Sequence, residues 1–250
     1  MSTVIKLENV TAKYGKKAAL KDISFSISQG EFVGIIGPNG SGKTTMLKLI
    51  LGLIKPFKGD IVVFDEKVSR FYTKHRKRIG YLSQIQQIDT NFPIKVSDVV
   101  SFGRCARIGF FKSPSRKDHT IVAQCLEKVS MSEYQNTPFG HLSSGQQQRV
   151  MIARVLAQES EILFLDEPTT GIDLPTQGKI MDIIDELHAN GMTIIHVSHE
   201  INLFSQALQR VICLKQASLY KMGNASEVLT TEVLSGLYDA PVCIGNKVVR

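Results

Sequence analysis

The chain predicts an α/β fold, a largely parallel sheet wrapped by helices, and three observations predict it. Short continuous apolar runs recur along the 250 residues, as strands buried on both faces require. Amphipathic segments at helical spacing alternate with them, which is the order of a sheet covered by helices. A glycine-rich turn joins one such run directly to one such helix.

Taken in order, Glu31 to Ile36 reads as a buried strand running into that turn, and Lys43 to Leu53 as the helix that follows. Further strands are expected at Ile61 to Phe64, Ile79 to Leu82, Ile162 to Leu165, Thr193 to Val197 and Val211 to Leu214. Ile180, Ile183, Ile184 and Leu187 form an i, i+3, i+4, i+7 stripe, with Pro175 near its start and Asn190-Gly191 at its end, the signature of a capped amphipathic helix. From about Ser83 to Leu142 strand signals give way to helical pieces, such as Val96 to Phe102 and the stripe Ile121, Val122, Cys125, Leu126, Val129. This stretch reads as a helical insertion in the α/β core. The tail beyond Tyr220 reads as small helices packed on that core.

Composition bounds the function. Hydrophobic residues make up 43% and charged residues 21%, a globular balance that excludes a disordered chain, a collagen or a disulfide miniprotein. The apolar runs fall far short of the roughly 18 residues that a membrane span needs, and no apolar signal segment opens the chain. Cys105, Cys125, Cys213 and Cys243 are scattered, with no paired spacing, so they read as packing residues in a reducing compartment. The formal charge is +7, and half of the residues from Lys67 to Arg78 are Lys or Arg. That cluster reads as a solvated face, or as one meeting an anionic lipid surface.

Gly37-Pro38-Asn39-Gly40-Ser41-Gly42-Lys43-Thr44 fits G-x-x-x-x-G-K-[ST] between a buried strand and a helix, the context that the phosphate-loop motif demands. Glycines let successive backbone N–H groups face one point, and the helix N-terminus adds its positive pole. Lys43 is expected to reach the β- and γ-phosphates of ATP and the Thr44 hydroxyl to ligate Mg²⁺, with Thr45 beside it in the nucleotide contact set. The plainer alternative is a glycine-rich turn with an exposed lysine. Further on, the apolar run Ile162 to Leu165 ends in Asp166-Glu167. Asp166 is expected to hold the Mg²⁺ shell and Glu167 to act on the attacking water as general base; read blandly, the two acids merely start a loop.

Leu142-Ser143-Ser144-Gly145-Gln146-Gln147-Gln148-Arg149 is a small-residue turn before a helix with a buried face at Met151, Ile152, Val155 and Leu156, and so a second anion site. This segment resembles the LSGGQ signature of the ATP-binding subunits of ABC transporters. The resemblance implies an ABC ATPase core (a P-loop NTPase) with an N-terminal antiparallel β subdomain and an inserted α-helical subdomain. It implies a single ATP-binding domain over 1–240, with the core at 1–84 and 160–220 and the helical subdomain at about 85–159, and a small C-terminal extension at 221–250. It implies two subunits packed head to tail, with Ser143, Ser144, Gly145 and Gln146 of one covering the γ-phosphate held by the other. Ser144 stands where glycine is more usual. If the backbone there needs φ > 0, serine would cost about 1 kcal/mol or more. By the same resemblance Tyr14 stacks on adenine, and Gln84 touches Mg²⁺ and water as a catalytic glutamine. Asp173 crosses the dimer interface, and His199 contacts the γ-phosphate.

A narrower resemblance covers Asp89 to Ser115, through Asn91-Phe92-Pro93-Ile94, Val96 to Val100 and Gly109 to Arg116. It points to the ATPases of importers for manganese, zinc or iron, with siderophore import the nearest competitor. It implies integral-membrane permease subunits, an extracytoplasmic metal-binding protein in the system, and a peripheral location on the cytoplasmic face of the cell membrane. Phe102, Ile108, Phe110 and Phe111 would line the permease-docking groove with Arg104 and Arg107 on its rim, or else fill the helical core. His75, His119, His141, His188 and His196 have no ligand spacing, so the chain is not expected to bind the cargo metal. A soluble ABC-type ATPase acting on DNA or ribosomes is disfavoured, since no coiled-coil insertion or second cassette is present; nucleic acid is not an expected partner. A P-loop kinase leaves the Leu142 to Arg149 segment without a role.

Overall fold

The computed structural model describes residues 2–68, 75–83, 93–109, 112–198 and 205–242. The chain opens with β1 (Thr3–Tyr14), β2 (Lys17–Ser28), β3 (Phe32–Ile36), α1 (Lys43–Ile50), β4 (Lys58–Val63) and β5 (Glu66–Lys67). Next come β6 (Ile79–Leu82), α2 (Val96–Ser101), α3 (Cys105–Ile108), α4 (Arg116–Lys128) and α5 (Ser144–Ala157). β7 (Ile162–Asp166), α6 (Leu174–Ala189), β8 (Thr193–Val197), β9 (Arg210–Lys215), β10 (Ser218–Asn224), α7 (Ala225–Val228) and α8 (Thr231–Tyr238) follow. These elements fall into two units, one formed by Met1–Tyr72 with Asn190–Arg250, the other by Thr73–Ala189.

In the first unit β1 pairs antiparallel with β2 and β4, and β5 extends β4. Neither long strand is among those expected from apolar runs. The register of β1 against β2 shifts between Thr3 and Ile5, between Leu7 and Val10 and again beyond, so the buried positions Val4, Ile5, Leu7, Val10 and Ala12 do not alternate strictly. Irregularities of this kind break the period of two by which a strand is recognised.

β3 lies between β8 and β9, parallel to both, with Val33 opposite Ile195 on one side and Arg210 on the other. Every residue of β3 and β8 is buried, which is why both read as unbroken apolar runs. β10 returns antiparallel to β9 as far as Asn224, so the tail beyond Tyr220 begins as a strand rather than a helix. Its side chains are mostly exposed, and an exposed edge strand carries no apolar run. The helices of the tail, α7 and α8, start only after it.

In the second unit β6 and β7 pair in parallel, with Tyr81 opposite Phe164. Val96, Val100, Leu126, Val129, Phe139, Val150 and Ile152 form much of its helical core. Two helices begin with reciprocal capping boxes, Ser115 with Asp118 on α4 and Ser143 with Gln146 on α5, and each satisfies two otherwise orphaned N–H groups. Arg104, expected on an exposed rim, is buried. Its Nε donates to Asp118 Oδ1 at 2.9 Å and its Nη1 to Glu159 Oε2 at 2.6 Å and the Ala157 carbonyl at 2.7 Å. Two carboxylates offset the cost of burying the guanidinium. Cys125 and Cys213 are buried, and burial pushes their thiols up to about 11 and about 12. Cys105 is exposed, so the packing role does not extend to it; Cys243 lies outside the described residues.

Candidate functional site

The first unit carries the phosphate loop. β3 ends at Ile36 and α1 begins at Lys43, and the six residues between turn through Gly37, Gly40 and Gly42 at φ 152°, 77° and 111°. Two of these glycines are also required by contact. A Cβ on Gly37 would lie 2.1 Å from the Leu214 carbonyl oxygen, and one on Gly42 2.6 Å from that of Ala19, distances that backbone cannot relieve. Lys43 is buried, and its ammonium donates to the Gly37 and Pro38 carbonyls at 2.6 and 3.2 Å. The lysine is therefore folded over its own loop. Ser41 Oγ is buried with no hydrogen-bond partner among the described residues. A cradle that only glycine fits, an orphaned hydroxyl and a buried ammonium held over the loop suit a polyphosphate, whose oxygens are acceptors for such donors.

Thr44 is exposed and Thr45 half-buried on the first turn of α1, while Pro38 is half-buried and Asn39 and Gly40 are exposed. Tyr14 ends β1, 54% exposed beside Gly15, so its ring is open for stacking.

The second unit carries the acids and the signature. β7 delivers Asp166 at its end. The Tyr81 hydroxyl donates to Asp166 Oδ2 at 3.2 Å, a partner that the sequence reading did not name. Burial first, then the Asp166 charge and this hydrogen bond, push the Tyr81 phenol up to about 12. Glu167 follows in the left-handed region at φ 52°, and Thr170 Oγ1 donates to its Oε2 at 3.3 Å. For a side chain of this size that backbone costs on the order of 1 kcal/mol. Asp173 Oδ2 accepts from the Thr176 N–H at 3.1 Å and from its Oγ1 at 3.0 Å, bonds that hold its carboxyl below the ordinary range. Asp173 and Leu174 are exposed.

In the signature, Ser143 Oγ accepts from the Gln146 N–H at 3.3 Å, and Gln146 Oε1 accepts from the Ser143 N–H at 2.9 Å. Ser143 and Ser144 are exposed at the start of the 14-residue α5. Ser144 is the first helical residue and has no positive φ, so the strain considered for a serine here does not arise. The demanding glycine is the next one, since a Cβ on Gly145 would lie 2.5 Å from Thr176 Cγ2.

Gln84 and His199 lie outside the described residues, as do Phe110 and Phe111. Phe102 is 56% exposed and Ile108 half-buried. Among the described residues no group of three His, Cys, Asp or Glu could hold a metal ion. Thr44, in the first unit, and Asp166, in the second, are each oxygen donors of the kind hard cations prefer.

Residues 20–170 match the family model described as ABC transporter. The chain is 40% identical to the manganese transport system ATP-binding protein MntB of Halalkalibacterium halodurans, over 99% of this chain and 96% of that protein. It is 39% identical to the zinc uptake system ATP-binding protein ZurA of Listeria monocytogenes, over 91% and 88%. Among solved structures it resembles the dimeric form of MJ0796, a bacterial ABC transporter cassette, at 34% identity and TM-score 0.75, over 88% of this chain and 98% of that one. With its phosphate loop, strand-end acids and capped signature helix in place, the chain belongs to the ABC transporter ATP-binding family.

Proposed function

We propose that this chain is the ATP-hydrolysing, energy-coupling subunit of an importer for a transition-metal cation: manganese, zinc or iron. The observation that carries the nucleotide reading is the glycine cradle with Lys43 buried over it and the Ser41 hydroxyl buried inside. The metal class is supported by likeness to manganese and zinc transport ATPases along nearly the whole chain.

In this reading two copies pack head to tail, and Ser143, Ser144, Gly145 and Gln146 of one face the triphosphate held by residues 37–45 of the other. Tyr14 stacks on adenine, and Lys43 holds the β- and γ-phosphates. Thr44, Gln84 and Asp166 hold Mg²⁺, which when bound neutralises charge on the transferring phosphoryl group. Glu167 takes a proton from water as the water oxygen bonds to the γ-phosphorus. The bond from phosphorus to the bridging β-oxygen breaks, leaving ADP and phosphate. His199 contacts the γ-phosphate, and Asp173 reaches across between copies.

The segment around the exposed Phe102 is the docking place for the permease, which sets the cargo together with an extracytoplasmic binding protein. The chain sits peripherally on the cytoplasmic face of the membrane, bound to that permease; no helix among the described residues is long and apolar enough to cross a membrane. The test is uptake of radioactive manganese, zinc or a ferric chelate into proteoliposomes holding the permease with this chain. ATP-dependent uptake of a divalent metal, lost with Glu167→Gln, is expected. Uptake that ignores ATP or the substitution contradicts energy coupling, and uptake of the chelate alone moves the cargo to siderophores.

A further inference from the structure

Two buried glutamines hold the backbone that follows Glu167, and nothing in the roles given above uses either. Gln148 Nε2, on α5, donates to the Pro168 carbonyl at 2.6 Å. Gln177 Nε2, on α6, donates to the carbonyls of Thr169 at 3.2 Å and Ile172 at 2.9 Å. Pro168, Thr169, Gln148 and Gln177 are all buried, so losing the Gln148 amide would take a hydrogen bond from a carbonyl that water does not readily reach; the Thr169 carbonyl also accepts from the Ile172 N–H at 3.3 Å.

The anchored residues adjoin the strained one. Glu167 holds a left-handed backbone that an unsupported chain would leave for the extended or helical region, swinging the carboxylate away. Within the segment itself the Thr170 N–H donates to the Glu167 carbonyl at 3.4 Å, a long bond. Three further hydrogen bonds come from the two helices. Gln148 also stands one helical turn after Gly145, which leaves no room for a side chain beside Thr176, the residue before Gln177. The signature end of α5, the start of α6 and the peptide after Glu167 thus lie close together, linked by these hydrogen bonds.

We infer that Gln148 and Gln177 are positioning residues for Glu167, and that Gln148 ties the aim of that carboxylate to the signature helix. The inference rests on the proposed role of Glu167 in hydrolysis and deepens it. A phosphate seated at the N-terminus of α5 would then act, through one turn of helix and one amide, on the peptide that fixes the carboxylate of the same chain.

The test uses the full chain with Mg-ATP, with turnover expressed per bound nucleotide. Gln148→Leu keeps the volume and removes the donor; kcat should fall at least about tenfold with nucleotide affinity within about twofold of wild type. Gln148→Glu supplies a discriminating readout, because a buried carboxyl stays protonated above its usual range and can donate its O–H to the Pro168 carbonyl. Its turnover should approach wild type toward low pH and fall as the carboxyl ionises, while Gln148→Leu runs parallel to wild type. Gln177→Leu should repeat the loss of kcat and serves if Gln148→Leu does not fold. Turnover within twofold of wild type in both leucine variants would overturn the inference, as would a Gln148→Glu profile parallel to that of Gln148→Leu. Wild-type turnover in Glu167→Gln would instead remove the underlying reading of Glu167.

Discussion

The Tyr81 hydroxyl and the Asp166 carboxylate meet at 3.2 Å across the parallel strands β6 and β7. Tyr81 stands opposite Phe164, so Asp166, two residues further along, is its diagonal neighbour on the same face, within reach of a long side chain. A phenol pushed up to about 12 remains a donor at any pH where the protein works. It therefore fixes one oxygen of the proposed metal ligand.

Tyr81→Phe should keep the fold and raise the Mg²⁺ concentration for half-maximal hydrolysis by about tenfold, the usual size of such a supporting contact. Titration of ATPase activity with Mg²⁺ measures it. Binding of ATP without Mg²⁺ should be unchanged, and a midpoint that does not move removes Tyr81 from the metal site.

The phosphate loop was legible because a fully buried strand, six residues of turn and a helix follow one another without interruption, and the acid pair because β7 is an unbroken apolar run. Tyr81 was not, since its partner is 85 positions away and a tyrosine in a strand has many ordinary reasons to be there. Arg104 was misplaced on a surface for a similar reason. Its carboxylates come from positions 14 and 55 residues distant, and local composition cannot show a buried ion pair. The antiparallel β1–β2 pair was implied by the family resemblance alone and escaped the apolar pattern because its bulges spoil the alternation, and Gln148 and Gln177 escaped because a glutamine on a helix usually faces water.

Lys43→Ala should weaken ATP binding by roughly ten- to a hundredfold, the value of a charge-assisted contact of about 1.5–3 kcal/mol. It should also release the Gly37 and Pro38 carbonyls that Lys43 now binds. Equilibrium binding of a fluorescent ATP analogue checks the first effect, and faster amide exchange at residues 37–42 the second.

Ser144 and Gly145, adjacent in the signature, should respond to different degrees. Gly145→Ala places a methyl 2.5 Å from Thr176 Cγ2, on a side chain whose hydroxyl is tied to Asp173, and should cost about 1–3 kcal/mol as overpacking. Ser144→Gly touches no such contact and should cost no more than about 1 kcal/mol through helix propensity. Urea denaturation of both variants, with ATPase activity alongside, separates them.

Acid should destabilise the helical part of the second unit through Asp118. Its carboxyl is held down from 3.8 to about 2, by the Ser115 hydroxyl first, then the Ser115 N–H and Arg104. A depressed carboxyl contributes stability above its unfolded value and loses it as pH falls through its folded one. The window is thus from about pH 4 down to about 2. Melting temperatures across it should drop less steeply in Asp118→Asn than in wild type, from a lower starting point at neutral pH; parallel curves would deny Asp118 that role.

The pairing of two chains around ATP is tested most directly by sedimentation of the Glu167→Gln variant. With saturating Mg-ATP its mass should double, since the nucleotide is held and not consumed, and with ADP it should return to that of one chain. A variant that stays a single chain at saturating ATP while binding the nucleotide normally would contradict the account.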